Sequence, residues 1–244
     1  MTTLPDPALP QILRHLASLQ TRGGRWRQHA RLRWHRLAWR RLPAEITLAK
    51  RALDVLGSAG ALLALSPLFL LIVIAIWCED GGRAIFIQTR VGRFGQLFKM
   101  YKFRSMRPDA EKRLQELLAA NQHGNGITFK LKDDPRITRV GKWLRKFSFD
   151  ELPQFFNVLI GDMSLVGPRP PVPREVALYS LADRRRLAVP PGITCIWQIS
   201  GRAEIDFSGQ VKLDVRYIET QSLWQDIRIL AKTIPAVASG SGAY

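Results

Sequence analysis

The sequence is poor in the residues from which the commonest catalytic centres are assembled. Histidine occurs four times. His15, His29 and His35 fall near the N-terminus and His123 stands alone, so a histidine-based metal site or triad has no cluster to draw on. Cysteine occurs twice, at Cys78 and Cys195, far apart and without CxxC spacing. That argues against a disulfide framework or a zinc site and suits a reducing compartment. There is no GxxxxGK[ST], no GxGxxG behind a strand and no GxSxG, which removes the usual nucleotide-binding loops and the nucleophile elbow. Acidic side chains are outnumbered, 20 against 37 Lys and Arg, for a net charge of +17. An excess of that size points to an anionic partner, whether nucleic acid, anionic lipid or a phosphorylated metabolite. The 244 residues suffice for one domain with a real core, plus appendages.

Residues 1 to 51 hold eleven Lys or Arg against Asp6 and Glu45. Within Gln28 to Leu42, Trp34, Leu37, Ala38 and Leu42 recur every three or four positions among Arg31, Arg36, Arg40 and Arg41. Such a helix suits a lipid headgroup surface, although a disordered basic arm or a nucleic-acid tail has the same composition. The arm has no apolar core region and no small-residue cleavage pattern, so no secretory signal is expected. From Val55 to Cys78 the chain carries no charge for 24 residues, about 36 Å as a straight helix and enough to span a bilayer. Ser66-Pro67 interrupts this run, and proline there removes a backbone hydrogen bond and bends the helix. Both flanks are basic, the second through Arg83, Arg90, Arg93, Lys99, Lys102 and Arg104. The positive-inside tendency then favours a helix that enters, breaks at Ser66-Pro67 and leaves by the same face, over a spanning helix with a proline kink. The expected organisation is a basic arm (1–45), a membrane helix-break-helix (46–80) and a cytoplasmic catalytic domain (81–244). This places the protein at a membrane rather than on nucleic acid.

Lys146-Phe147-Ser148-Phe149-Asp150-Glu151-Leu152-Pro153-Gln154 sets two adjacent carboxylates at the start of a helix. Pro153 fits a first turn, and Leu152, Phe155, Phe156, Val158, Leu159 and Ile160 continue at helical spacing to Gly161. Ser148 and Glu151 have capping-box spacing, and acids are favoured there by the macrodipole, so a purely structural account exists. Against it stand the cations Lys142, Arg145 and Lys146 before the pair, and Gly167-Pro168-Arg169-Pro170 after it. Adjacent helical residues point about 100° apart, so the two acids cannot share one proton face to face. They need different roles, one attacking phosphorus and the other holding a metal or moving a proton.

The segment Pro108 to Asp134 is less telling: Leu114, Leu117 and Leu118 suggest a helix, and Ile127 to Lys132 a short strand. Pro168 to Pro173 reads as a stiff loop and Val172 to Leu187 as a charged helix. No internal repeat or low-complexity tract occurs. The fold class expected is α+β, helix-rich with a small sheet.

Several stretches in order resemble a known family. They are Lys50-Arg51-Ala52-Leu53-Asp54 opening the run with Ser66-Pro67, Gln88-Thr89-Arg90-Val91-Gly92, Phe98-Lys99-Met100-Tyr101-Lys102-Phe103-Arg104-Ser105-Met106, the Asp150-Glu151 stretch, and Gly161-Asp162-Met163-Ser164-Leu165-Val166-Gly167-Pro168-Arg169-Pro170. Over residues 46 to 244 the chain resembles the bacterial sugar transferases, monotopic phosphoglycosyl transferases that load a sugar phosphate onto a polyprenyl phosphate. The resemblance implies that Asp150 attacks the sugar-linked phosphate of a UDP-sugar. UMP leaves, and polyprenyl phosphate takes the sugar phosphate from an aspartyl intermediate. It implies Glu151 as the partner of Asp150, Mg²⁺ at the Asp150-Glu151 dyad, and a re-entrant helix broken at Ser66-Pro67. Lys102, Arg145 and Arg169 fall on phosphate-associated positions, Arg90 and Arg104 lie within the same motifs, and Asp214 falls on a further acidic position. Arg offers phosphate a planar fork and Lys a point charge.

The chain departs from the family where Pro190 replaces an arginine and Cys195 a glycine. Trp197-Gln198-Ile199-Ser200-Gly201-Arg202 and the closing residues are similar to members that start exopolysaccharides or capsules, so galactose or glucose is the expected sugar. The expected location is the cytoplasmic face of a bacterial inner membrane, with UDP-hexose and polyprenyl phosphate as partners, no nucleic acid, and pairing into a homodimer. The competing reading is a non-catalytic basic protein attached to a membrane, binding anionic lipid or nucleic acid. The catalytic reading requires an Asp150 oxygen that is accessible and near the lipid boundary.

Overall fold

The computed structural model describes residues 48–110, 134–200 and 205–238. The surface helix expected in the N-terminal arm, the helix around Leu114 and the strand at 127–132 lie outside the described residues. The chain divides into two compact units, Met1–Ala49 and Lys50–Tyr244, and the architecture below is that of the second.

Helix α1 (Leu48–Ala64) is followed by α2 (Ser66–Asp80) at an angle of 59°. The break sits where the sequence puts it. Pro67 has no N–H to continue the ladder of α1, yet it suits the first turn of α2. Ser66 Oγ donates to Leu63 O at 2.8 Å, taking up one of the carbonyls that the break releases. Gly81, at φ 66°, closes α2 by donating to Trp77 O. No single helix among the described residues is long and apolar enough to cross a membrane, whereas the bent pair passes together on length and composition. Leu56, Leu63, Leu70, Leu71, Ile74 and Trp77 remain exposed along it.

A hairpin follows: β1 (Ile85–Val91) runs antiparallel to β2 (Leu97–Phe103), with Gln88 opposite Met100. Helix α3 (Arg139–Lys146) is capped by Thr138, whose Oγ1 accepts from Gly141 N at 2.9 Å. Gly141 is obligatory for space, since a Cβ there would lie 2.0 Å from Ser105 O. Leu144 of α3 packs with Ile72 and Ile76 of α2 and Phe103 of β2, joining the bent pair to the hairpin.

The dyad then occupies a 3-10 turn, Phe149–Glu151, and the α-helix α4 (Gln154–Ile160) starts only afterwards, ending at Gly161 with φ 101°. The predicted capping box does not form. Ser148 stands at φ 55° and its side chain caps nothing, because the Glu151 carboxylate it would reciprocate with is bound to Lys102.

Short strands β3 (Ser164–Val166) and β4 (Gly192–Thr194) pair in parallel. The predicted helix over 172–187 splits into α5 (Pro173–Ala177) and a 3-10 turn, Asp183–Leu187. Between them the Asp183 carboxylate accepts from Ser180 N and Oγ, at 2.9 and 2.7 Å, a local bond that competes with a continuous helix. A turn at Trp197–Ile199, α6 (Phe207–Glu219) and α7 (Leu223–Ala238) complete the described fold. It is α+β, helix-rich with two two-stranded sheets. The main core gathers Met100, Val158, Met163, Leu165, Val166, Tyr217 and Ile229 from β2, α4, β3, α6, α7 and the α4–β3 link.

The start of α1 is fastened to this core by three charged residues. Lys50 Nζ donates to Asp226 Oδ2 at 2.6 Å and to Val166 O at 2.9 Å. Arg51 donates to the last carbonyls of α4, Val158 O at 2.6 Å and Leu159 O at 2.8 Å. Asp54 accepts from Ser164 Oγ and Leu165 N.

Candidate active site

Lys102 and Met100, two apart on β2, point to one face of the hairpin. On that face Lys102 Nζ donates to Glu151 Oε1 at 2.8 Å. A cleft opens around this contact, lined by Arg90, Lys102, Glu151, Gln154, Arg169 and Gln198 among others. Arg90 reaches it from β1, where its guanidinium donates to Gln88 Oε1 and to Pro170 O at 2.8 Å. Arg90 is buried, and no carboxylate among the described residues is within ion-pair distance of it. Burial, aided by the nearby Arg169, pushes its pKa down to about 10, so it is still charged at neutral pH. Arg169 follows β3 in the Gly167-Pro168-Arg169-Pro170 loop, and its guanidinium makes no hydrogen bond among the described residues. Two arginines thus face one cleft, neither within ion-pair distance of a carboxylate among the described residues, which suits an anion.

The dyad's two acids meet different surroundings. Glu151, with 20 % of its side chain exposed, faces the cleft. Burial pushes its pKa upward, but Lys102, then Arg169 and Arg90, outweigh burial and hold it at about 2. Asp150 is only 8 % exposed. Burial raises its pKa to about 6; Glu151 adds to the rise, while Lys102, Arg145 and Arg169 oppose it. Asp150 is therefore less open than the nucleophile reading requires. Phe149 and Leu152, on either side of the pair, pack into the Ile72–Phe103 cluster and draw the turn inward. The cleft is also tight, with room of about 10 Å³, enough for a water molecule and not for a sugar nucleotide.

The structure brings together Arg90, Lys102, Glu151 and Arg169 in the cleft, with Asp150 and Arg145 behind them. Burial lowers the pKa of Arg145, and the neighbouring Asp150 and Asp134 oppose that shift. Two predicted site residues lie elsewhere. Arg104 forms a two-pronged ion pair with Asp80 at the end of α2, so its fork is taken up in holding α2 to the hairpin. Asp214 is 1 % exposed on α6 and bound to Arg186. Arg186 also donates to Tyr179 OH at 3.1 Å, which makes Asp214 the partner of a buried cation rather than a cleft residue.

Gln198 was not singled out by the sequence, nor was Asp134, which pairs with Arg136 at 2.6 Å beside Arg145. The run Asp134-Pro135-Arg136 was the available signal, at the edge of the least informative segment.

No group of three or more His, Cys, Asp or Glu side chains among the described residues could hold a metal by itself. Mg²⁺ needs less, because it binds through one or two carboxylates together with substrate phosphates and water. Asp150 and Glu151 would be the two carboxylates to hold it, and the ion would supply charge neutralisation for phosphate there.

Arginines gathered beside an acid in one cleft suit the oxygens of a phosphorylated ligand. The chain belongs to the bacterial sugar transferase family, whose profile matches residues 45–240. It is 54% identical over 197 residues to the galactosyl transferase CpsE of Streptococcus agalactiae, covering 80% of this chain and 43% of CpsE. It is 45% identical over 200 residues to the exopolysaccharide production protein ExoY of Sinorhizobium fredii, covering 81% and 88% of the two chains. To the undecaprenyl-phosphate galactose phosphotransferase of Salmonella typhimurium it is 47% identical over 201 residues, covering 80% of this chain and 41% of that protein. The chain thus spans less than half the length of two of these relatives and most of the third.

Proposed function

We propose that the protein transfers a sugar 1-phosphate, from UDP-galactose or UDP-glucose, to undecaprenyl phosphate as the first step of exopolysaccharide or capsule synthesis. The observation that carries this reading is the gathering of three cations, Arg90, Lys102 and Arg169, about Glu151 in one cleft. A diphosphate repels an attacking carboxylate unless its charge is met, and Arg90, Arg169 and Lys102 supply fixed positive charge where phosphate oxygens would lie. Asp150 is the nucleophile in this reading, as the resemblance of the Asp150-Glu151 stretch implies, with Glu151 beside it bound to Lys102 at 2.8 Å. Once the cleft walls separate to admit substrate, an Asp150 oxygen forms a bond to the sugar-linked phosphorus and the bond from that phosphorus to UMP breaks. A phosphate oxygen of the polyprenyl carrier then attacks the same phosphorus, the Asp150 carboxylate leaves, and a polyprenyl diphosphate sugar remains. Asp150 and Glu151 would hold Mg²⁺, which supplies further neutralisation of the diphosphate.

In this reading α1 and α2 enter and leave the cytoplasmic face of the inner membrane, with their exposed leucines in lipid. Galactose is proposed ahead of glucose, a preference supported by the names of the relatives at 54% and 47% identity.

Purified protein in detergent, given UDP-galactose and Mg²⁺, should release UMP. Asp150→Asn should abolish release, and mass spectrometry of the wild type should find a phosphohexose on Asp150. UMP release by Asp150→Asn at the wild-type rate would remove Asp150 from its role.

A further inference from the structure

Two buried side-chain amides project from α4, and the fold makes use of only one of them. Asn157 is fully buried, and β2 meets both ends of its amide: Oδ1 accepts from Tyr101 N at 3.0 Å, and Nδ2 donates to Lys99 O at 2.7 Å. It ties the helix to the hairpin on either side of Met100. Gln154 stands three residues earlier on the same helix face and is only 3 % exposed. It lines the cleft together with Arg90, Lys102, Glu151 and Arg169. Yet its side-chain amide makes no hydrogen bond among the described residues. A buried amide without a partner costs stability, and native proteins keep few of them. The packing of α4 does not call for one here, since methionine has much the same length and no polar end to satisfy.

We infer that Gln154 is a substrate-contacting residue whose amide holds the 2-hydroxyl of the donor sugar. The inference rests on the sugar-phosphate transfer proposed above. An amide presents a donor and an acceptor side by side, so the group that answers both must itself donate and accept. A phosphate oxygen only accepts, and the diphosphate already has Arg90, Lys102 and Arg169. A hydroxyl does both. Position selects which hydroxyl. Gln154 lies roughly one turn of chain beyond Asp150, and in the proposed transfer the phosphorus bound by Asp150 carries the sugar through its anomeric oxygen. The 2-hydroxyl sits on the carbon next to that linkage. The uracil imide also answers an amide at both ends, but a ribose and the other phosphate separate it from the attacked phosphorus. The contacts of Asn157 with β2 and of Arg51 with the far end of α4 hold the helix, so the amide is in place before the sugar arrives.

The test takes UDP-galactose and UDP-glucose, each beside its 2-deoxy analogue, and compares Gln154→Met and Asn157→Leu with the wild type in detergent. It reads kcat/KM of UMP release, the binding of these nucleotides and of UMP by calorimetry, and the thermal midpoint. The bond that breaks joins phosphorus to UMP, so loss of the 2-hydroxyl reports contact rather than reactivity at the sugar carbon. In the wild type the 2-deoxy analogue of the better sugar should be about 10-fold poorer than its parent. In Gln154→Met the two should be alike, with UMP binding changed less than about twofold. Gln154→Met should keep or raise the thermal midpoint, whereas Asn157→Leu, which strands two backbone groups of β2, should lower it. Equal kcat/KM for parent and analogue in the wild type overturns the contact, whether or not either variant folds. A preference that survives in Gln154→Met overturns it as well, and a parallel loss of UMP binding assigns the amide to the nucleotide instead. A midpoint that falls as far as that of Asn157→Leu marks Gln154 as structural. If the wild type releases no UMP from either sugar nucleotide, the transfer reading fails, and the calorimetric difference between parent and 2-deoxy analogue still decides Gln154.

Discussion

At the scale of single residues, the two neighbouring acids show how burial and charge divide a role that the sequence leaves undivided. Glu151 has a lysine at 2.8 Å and stays ionised, whereas Asp150 is drawn inward and its pKa rises to about 6. As a nucleophile Asp150 acts only when ionised, so kcat/KM for UMP release should fall as the pH drops through about 6. Glu151→Gln removes the adjacent negative charge, which makes ionisation of Asp150 easier. A pH–rate profile of that variant should therefore show its acid limb at lower pH, whatever the loss in maximal rate. A stability effect of opposite sense belongs to the same group. A carboxyl whose folded pKa exceeds its unfolded value of 3.8 contributes stability below pH 3.8 that is lost as the pH rises through about 6.

Arg90 obeys a related logic, since burial pushes its pKa down by more than Glu175 and Glu151 push it back. Arg90→Met should leave the thermal midpoint unchanged or raise it, while lowering kcat/KM for the UDP-sugar by about 100-fold, the effect of removing one fixed charge-stabilising donor. A variant that loses stability along with activity would mark Arg90 as structural.

At the scale of elements, what was legible in the sequence is what local chemistry decides. Ser66-Pro67 breaks the apolar run and Gly161 ends the helix behind the dyad, because each acts within one turn of its own position. What failed depends on distant partners or on local side-chain bonds that pattern reading overlooks. The capping box at Ser148 is lost because Glu151 is taken by Lys102, 49 positions before it in sequence, and Asp214 is claimed by Arg186, 28 away. The helix expected over 172–187 is broken by Ser180 and Asp183, whose charge and spacing also suited a helix. Strands of three residues, such as β3 and β4, leave too short an alternation to detect and depend on the contact between Gly167 and Gly192. The cleft cations Lys102, Arg90 and Arg169 were legible through their motifs, whereas Gln198 carries no charge to draw notice.

The fastening of α1 gives a test at this scale. Asp226 is fully buried and bound by Lys50 Nζ and Tyr217 OH. Lys50→Met alone should cost about 3–5 kcal/mol in chemical denaturation, because it strands a buried carboxylate. Adding Asp226→Leu should recover much of that loss, and a double variant no better than the single would refute the ion-pair account.

At the scale of the whole molecule, a net charge of +17 and an uncovered apolar helix pair occur together. That combination suits a surface of anionic lipid, with the positive flanks of the pair held at the headgroups and its leucines in the hydrocarbon. Single cysteines at Ala49 and Arg83, in a chain with Cys78 and Cys195 replaced, should react with a membrane-impermeant maleimide only from the cytoplasmic side. Labelling of the two from opposite sides would establish a crossing.

The grip of Arg51 on Val158 and Leu159 bears on all three scales. The first helix of the bent pair holds the far end of the short helix whose near end leads from the dyad. In the proposed membrane setting the reactive turn therefore has no height of its own: like a hook fixed to a float, it rides at whatever level the bent helix pair takes.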